Sequence, residues 1–535
     1  HTWAKQIASG NYQPQAAYEF SPLPAYIMAL VYKIFSPEVN YIRLLNTFYG
    51  TLTCLFIGLS GRQLGGNRVG LAAGLIAALY EPFILYSIVP LKTALSVLLF
   101  AAFVYLFLKF LAKPGPALTI LLAITSGLAL NVRGNYLVLI PVALAAVIWE
   151  GLKIERPRIM LPKLLFSFCA SLLLVLAPFA LRNYQVTNEL ILSTTQAGFN
   201  LYIGNNPYNP SPYYYPVPFA SSVPFSQGTE FTIEASRRVG KQLTAKEAST
   251  YWVNEVYQRA KHNPMEFLRK LGQKTLALLN RFEAFDHYDA HFLSQFMPVF
   301  RLPFFTFAVV WPFGVAGMLV SSFWDRKALW LLCLFVAYSV TLILFFVNGR
   351  YRMPLLVILI PFAANGIRQA LASWKKNNQR LLAYSLLILL FGVLQFAPVA
   401  GSNDYTLYYN IHANTLYNSN MRKEALKYWE KSSQLRGRFS DSANLALAST
   451  YYRHGELNKA RAYVDKIPNG SYALARKCAL LGEILMASGD WQAALKAYEQ
   501  SLKINASNND VRRQFISLLD TLDPARARRE YRERS

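Results

Sequence analysis

The sequence predicts an all-α fold in two parts: a polytopic helical membrane protein, followed by a small helical-repeat solenoid. Two observations carry this. Apolar runs of membrane-spanning length recur from about residue 42 to residue 399. From about residue 402 a pattern of small and large residues returns every 34 positions. Composition agrees, since 54% of residues are hydrophobic and only 16% charged, with a mean hydropathy of +0.23. Soluble domains rarely combine the two.

Ten spans are expected, at roughly 42–60, 68–88, 92–110, 116–131, 135–150, 162–181, 303–321, 328–347, 353–370 and 381–399. Lys and Arg in the short loops orient them. One set of loops carries Arg62, Arg68, Lys109, Lys113, Lys153, Arg156, Arg158, Lys163, Arg326, Lys327, Arg368, Lys375, Lys376 and Arg380; the alternate set carries only Lys92, Arg133, Arg350 and Arg352. The richer set is expected to face the cytoplasm. The outer loop 1–41, the insert 182–302 and the residues after about 400 are then expected outside it. The net charge of +25 sits largely in these loops rather than on one soluble face, which argues against nucleic-acid binding.

The four outer cations go against that distribution, and charge near a membrane is costly. Arg133 lies in Asn131-Val132-Arg133-Gly134-Asn135-Tyr136, while Arg350 and Arg352 lie in Asn348-Gly349-Arg350-Tyr351-Arg352-Met353-Pro354. Guanidinium suits bidentate binding of phosphate; snorkelling to lipid headgroups is the plainer reading.

The insert opens with Arg182-Asn183-Tyr184, followed by a strand-like stretch from Leu190 to Thr195. Gly198 to Pro207 reads as a tight loop with exposed amides. Residues 208–224 are rich in Tyr, Pro and Ser, suited to sugar rings or to the membrane interface. Thr244-Ala245-Lys246-Glu247 is a capping box that starts a helix to about Lys261. A second, basic amphipathic helix from about Pro264 to Arg281 is expected along the membrane. The run Glu283 to His291 holds acids and two histidines, but its spacing fits no strong metal motif. The cysteines, Cys54, Cys169, Cys333 and Cys478, are scattered and read as small buried hydrophobes. The chain opens on His1 without a signal peptide, so it is expected to begin inside a longer protein.

In the C-terminal part Gly455-Glu456-Leu457 with Ala460 recurs as Gly489-Asp490-Trp491 with Ala494, the tetratricopeptide period. The last copy uses Leu481, Gly482, Leu485, Tyr498 and Ser501, the middle one Leu447, Ala448, Tyr451 and Val464. A weaker first copy uses Ala413, Leu416, Asn420, Ala425, Trp429 and Ser432. A helix near 508–533 is expected to cap the stack.

Several stretches resemble a known family. Residues 1–24, ending Tyr18-Glu19-Phe20-Ser21-Pro22-Leu23-Pro24, resemble the end of a first outer loop. Residues 42–66 resemble the next span with its exit Gly61-Arg62-Gln63-Leu64-Gly65. The stretch from Arg182-Asn183-Tyr184 to Gly204-Asn205-Asn206-Pro207, and the Gly349 to Pro354 turn, complete the match. Residues 1–400 thereby resemble the GT-C glycosyltransferases, in particular the protein O-mannosyltransferases and the lipid A aminoarabinose transferase, with residues 401–535 as a tetratricopeptide domain. The resemblance implies a transferase that moves a sugar from a polyprenyl-phosphate donor to a protein, lipid or glycan acceptor outside the cytoplasm, with no cofactor. It implies a bacterial inner membrane, with membrane lipid and an acceptor, bound through the repeats, as partners and no nucleic acid.

The family's catalytic aspartate is expected a few residues upstream of His1, and no residue here matches it. Glu19 matches an acid of the first outer loop and is assigned to positioning acceptor or donor sugar. Lys92, Arg133, Arg350 and Arg352 are the phosphate candidates, with Arg182 and Asn205 as weaker ones. Against the transferase stand a lipid-linked saccharide transporter, which should show inverted repeats and mid-membrane polar residues that are not seen, and a non-catalytic scaffold presenting the repeats.

Overall fold

The computed structural model describes residues 1–12, 16–221, 224–284, 286–302, 304–323, 325–373 and 379–527. Lys375, Lys376, the Arg380 side chain, Phe285, residues 222 and 223 and the end of the expected capping helix (528–533) lie outside them. Every named regular element among the described residues is helical; isolated bridge residues occur besides, among them the pair Tyr80 and Phe305. The all-α, polytopic character read from the sequence holds.

Each of the ten expected spans overlaps one or more helices among the described residues. Six are long and apolar enough to cross a membrane: Val39–Gly65, Thr93–Ala112, Gly134–Gly151, Pro157–Thr187, Arg326–Leu344 and Gly349–Ala372. The others are shorter. Pro116–Leu130 has 15 residues and Phe307–Ser322 has 16, about 23 Å at 1.5 Å per residue against a hydrocarbon core of about 30 Å. The expected span 68–88 is broken into Asn67–Ala78 and Glu81–Ile88. Phe305 explains the break: its carbonyl accepts from Glu81 N at 2.9 Å, its amide donates to Leu79 O at 2.9 Å, and Pro82 has no amide to continue the ladder. A further apolar helix, Pro22–Ile34, was not anticipated in the outer loop.

Two readings of the insert are corrected. Leu190 to Thr195 is not a strand. Its backbone groups are tied one by one instead: Ile191 O and Ser193 O to Asn183 Nδ2, and Thr195 N to Tyr18 O. Gly198 to Asn205 is not a loop with exposed amides but lies in the helix Ala197–Asn205. Gly198 is required by closeness rather than by positive φ, since a Cβ there would strike the Ser249 carbonyl. The capping box is present as read: Glu247 N donates to Thr244 Oγ1 and Thr244 N to the Glu247 carboxylate.

The chain divides into two compact units, residues 1–197, 265–285 and 293–399, and residues 198–264, 286–292 and 400–535. In the first, the basic helix Pro264–Leu279 turns Lys274 inward, 1% exposed. Its Nζ donates to Phe345 O at 2.7 Å and closes the end of Arg326–Leu344, a favourable place for a cation. Met265, Leu268 and Leu276 remain exposed on the same helix.

The second unit contains three antiparallel helix pairs: Thr406–Asn418 with Arg422–Gln434, Ser440–Arg453 with Leu457–Asp465, and Leu474–Ala487 with Trp491–Ile504. Asn509–Leu522 follows as a final helix. The motif glycines Gly455 and Gly489 sit at φ of 75° and 82° between the helices of a pair, where a side chain would be strained. Gly482 lies against the Tyr498 ring with no room for a Cβ.

Residues 198–264 of the insert belong to this unit and follow one edge of the repeats. Ser211 lies against Gly401, and Arg438 Nη1 donates to Tyr214 O at 3.2 Å with its guanidinium 5.0 Å from the Tyr213 ring. The Tyr215 ring meets Tyr472 edge-on at 5.3 Å. Ile233 and Arg237 face residues 506–512 across a cavity of about 270 Å³. Arg438, Tyr472 and Ala506 are spaced 34 residues apart, so equivalent points of successive repeats meet the insert in turn. The Tyr-rich stretch therefore has a packing role. Burial opposes charge on Asp404, yet hydrogen bonds from Thr406 and Arg438 hold its carboxyl below the usual range.

Arg438→Met would leave the Asp404 carboxylate, 7% exposed and 3.1 Å from Arg438 Nε, buried without its cation. A loss of about 3–5 kcal/mol is expected, read as faster amide exchange in residues 209–220 and at the start of Ser440–Arg453. Unchanged exchange in both segments would show that the pair does not hold the insert to the repeats.

Candidate functional site

In the first unit, three of the predicted phosphate ligands come together at the starts of helices. Lys92 is the N-cap residue of Thr93–Ala112. The segment entering it is held by Asn46, a buried residue of Val39–Gly65 whose Nδ2 donates to Val89 O at 2.7 Å and Leu91 O at 3.2 Å. The Lys92 ammonium donates to Ser21 Oγ at 2.9 Å. Ser21 precedes the helix Pro22–Ile34, and Leu23 N reaches Asn131 O at 3.3 Å. The outer loop is thus tied both to Lys92 and to the stretch that carries Arg133.

Arg133 has extended backbone where Pro116–Leu130 gives way to the short 3-10 turn Gly134–Val138. It is 5% exposed. Its Nε and Nη1 are buried and have no hydrogen-bond partner among the described residues. The guanidinium instead lies 4.4 Å from the centre of the Tyr351 ring.

Arg350 begins the helix Gly349–Ser373, which Asn348 launches. The Asn348 side chain accepts from Arg350 N at 2.8 Å, its carbonyl accepts from Tyr351 N and Arg352 N, and Gly349 N donates to Ala284 O. The Arg350 guanidinium lies 5.7 Å from the Tyr351 ring. Arg133 and Arg350 both act on the Lys92 charge, so the three form one electrostatic cluster. Two members stand at helix N-termini, where the macrodipole disfavours cations and favours anions. An anion is the chemical complement of such a site.

Arg352 goes elsewhere. It is two residues from Arg350 in the same helical turn, a spacing that turns side chains apart. It is 1% exposed. Its Nη1 donates to Asn280 O at 2.6 Å and Leu278 O at 3.3 Å, its Nη2 to Phe282 O at 3.0 Å, and Glu283 lies 3.7 Å away. It closes the C-terminal end of Pro264–Leu279, whose last carbonyls have no helical partner. The printed hydrogen bonds of its guanidinium thus end on main-chain carbonyls of its own unit.

Arg182 likewise shapes the loop, donating to Ala16 O and the Tyr12 hydroxyl at 2.8 Å and stacking on Tyr18 at 4.0 Å. Its neighbour Asn183, fully buried, clamps two segments: Oδ1 accepts from Tyr18 N at 2.9 Å, while Nδ2 holds Ile191 O and Ser193 O. Glu19 is half-buried between that pinned Tyr18 and Ser21. Asn205 is in the second unit, 2% exposed, its Nδ2 bonded to Leu201 O within its own helix.

Two acids of the acid and histidine run are engaged in hydrogen bonds with their surroundings. Glu283 accepts from the Tyr80 hydroxyl at 3.1 Å, and Asp289 accepts from Phe292 N at 2.6 Å to cap a short helix. No group of three or more His, Cys, Asp or Glu that could hold a metal occurs among the described residues. Sequence reasoning missed Ser21, Asn46, Asn183, Asn348 and Tyr351. The signal for the three asparagines was polarity inside or at the edge of apolar runs, which calls for a buried hydrogen-bonding task.

Residues 19–181 match the family described as dolichyl-phosphate-mannose-protein mannosyltransferase, and residues 475–508 match the tetratricopeptide repeat. In three dimensions the chain is similar to the Archaeoglobus fulgidus oligosaccharyltransferase in complex with Zn and sulfate, at 15% identity over 77% of this chain and 50% of that one, with a TM-score of 0.40. It is also similar to the oligosaccharyltransferase AglB of the same organism in complex with an inhibitory peptide and a dolichol-phosphate, at 14% identity over 77% of this chain and 53% of that one, TM-score 0.38. The chain spans about half the length of these structures. No curated protein matches it in sequence.

Asp289 supplies a pH test of the second unit. Burial pushes its carboxyl up from 3.8 to about 6, against the Phe292 amide and the His291 charge, which lower it. The folded state therefore binds this proton more tightly than the unfolded chain does, and stability falls as pH rises through that window, by up to about 3 kcal/mol. Asp289→Asn should stabilise the unit at pH 7.5 and lose its advantage near pH 4, as read by chemical denaturation with amide exchange. An Asn variant no more stable than the parent at pH 7.5 would show that the buried charge is not destabilising.

Proposed function

We propose that this protein is a membrane glycosyltransferase that moves a sugar from a polyprenyl-phosphate donor to an acceptor hydroxyl or amine outside the cytoplasm. The observation that carries the reading is the convergence of Lys92, Arg133 and Arg350 beside Ser21. The family match over residues 19–181 supports it, and that stretch contains Glu19, Lys92 and Arg133. The loop charges support it too. The three residues belong to the basic-poor loops, so by that bias the cluster faces out of the cytoplasm.

The chemistry follows from the charges. The acceptor's heteroatom forms a bond to the anomeric carbon. The bond from that carbon to the phosphate oxygen breaks, and its electron pair stays on the polyprenyl phosphate. Lys92, Arg133 and Arg350 offset the charge that builds on this leaving group, held in place beforehand where the surroundings exclude water. The acceptor's proton passes to a carboxylate. Glu19, two residues before the serine that Lys92 bonds, positions acceptor or donor sugar at the cluster's edge. The apolar helices take the polyprenyl chain. The repeats offer their surface to the acceptor or to a partner protein of the cell envelope, in a bacterial inner membrane.

The test is transfer of labelled sugar from a panel of polyprenyl-phosphate sugars by the protein expressed from its complete coding sequence. Arg133→Gln and Lys92→Met are each expected to lower kcat/KM by about 10²- to 10³-fold while leaving the fold intact. Arg352→Leu is expected to act through stability, because it strips the carbonyls of Pro264–Leu279 of their donor. Folded protein that transfers no sugar across the panel, or transfer indifferent to Arg133 and Lys92, would sink the reading.

A further inference from the structure

Tyr351 stands between two like charges. The Arg133 guanidinium lies 4.4 Å from its ring centre and that of Arg350 5.7 Å. Both fall within the roughly 6 Å over which an aromatic face attracts a cation. The two arginines come from different parts of the chain, and nothing in covalent geometry keeps them together. Mutual repulsion favours their separation.

The Tyr351 backbone is anchored from beneath. The hydroxyl of Tyr338, a fully buried residue, donates to Tyr351 O at 3.0 Å. Tyr338 is packed against Phe100 at 5.4 Å and Tyr136 at 5.8 Å. The Tyr136 hydroxyl donates in turn to Ser96 O at 3.0 Å, one turn into the helix that Lys92 begins. Arg133 spends neither Nε nor Nη1 on another described residue. The contact with the ring therefore orients its guanidinium while leaving hydrogen-bond donors for a ligand.

We propose that Tyr351 is a positioning residue of the anion cluster, its ring holding the Arg133 and Arg350 guanidiniums side by side so that both meet one phosphate. The proposal rests on the reading of the cluster as the donor-phosphate site. It assigns the ring's electron-rich face, rather than its bulk, as the feature that matters. The hydroxyl is dispensable by the same argument.

The experiment measures binding of decaprenyl monophosphate to the purified full chain in detergent. Each variant is checked first for the parent's melting temperature. Tyr351→Phe is expected to bind within about twofold of the parent, and Tyr351→Leu about tenfold more weakly. In the Arg133→Gln background, Tyr351→Leu should cost much less, since the ring acts through the arginines. Should Tyr351→Leu fail to fold, phenylalanine carrying one, two or three ring fluorines at position 351 withdraws electrons from the face at almost constant shape. Affinity falling stepwise with fluorine number supports the proposal. Affinity independent of fluorine, with Arg133→Gln still weakening binding, overturns the role of Tyr351 and leaves the phosphate site standing. Arg133→Gln binding like the parent overturns the site reading itself.

Discussion

Bringing three cations together at the buried ends of helices is unfavourable in three ways, and the first unit is arranged around that cost. The charges repel one another, two of them oppose the dipole of the helix they begin, and they are withdrawn from water. Such an arrangement persists only where the surrounding structure enforces it or where an anion compensates. The enforcement is visible. Asn46 holds the approach to Lys92, Asn348 sets the turn before Arg350, and Ser21 meets the Lys92 ammonium from the outer loop. Each is a short polar side chain with little room to move, so the positions of the charges are decided by backbone tied from the side.

The same unit holds two other buried cations differently. Arg352 and Lys274 are as deeply buried, but their donors are taken by carbonyls at helix C-termini, and the dipole there favours them. Arg182 is likewise consumed by loop carbonyls and tyrosine rings. The Arg352 and Arg182 guanidiniums also rest on aromatic rings, yet they donate to main-chain carbonyls, whereas Arg133 leaves its Nε and Nη1 without a partner among the described residues.

In the second unit the repeats do not stand alone. The insert meets equivalent points of successive repeats, at a spacing that the 34-residue period dictates. A solenoid whose repeats contact only their neighbours gains from an element touching several at once, because separation of any pair is then resisted by the strap. Tyr213 and Tyr215, in the stretch 208–224 that as sequence suggested sugar rings or the membrane interface, pack on the repeats.

Helix period and residue type are local properties, and what depended on them could be read from the chain. The ten apolar runs, the capping box at Thr244 and the tetratricopeptide period were legible for that reason. The rest depended on which groups met across long stretches of sequence. The span 68–88 breaks because Phe305 supplies a bridge, and residues 190–195 form no strand because no strand lies beside them. Gly198 is in a helix because Ser249 lies against it. Arg350 and Arg352 read as a pair, yet one helical turn sends them to opposite tasks. The sequence by itself determined that charge would be held at the ends of apolar helices. Only the tertiary structure decided which charges share a site, because hydrogen bonds and cation–π contacts act over a few ångströms that sequence distance does not measure.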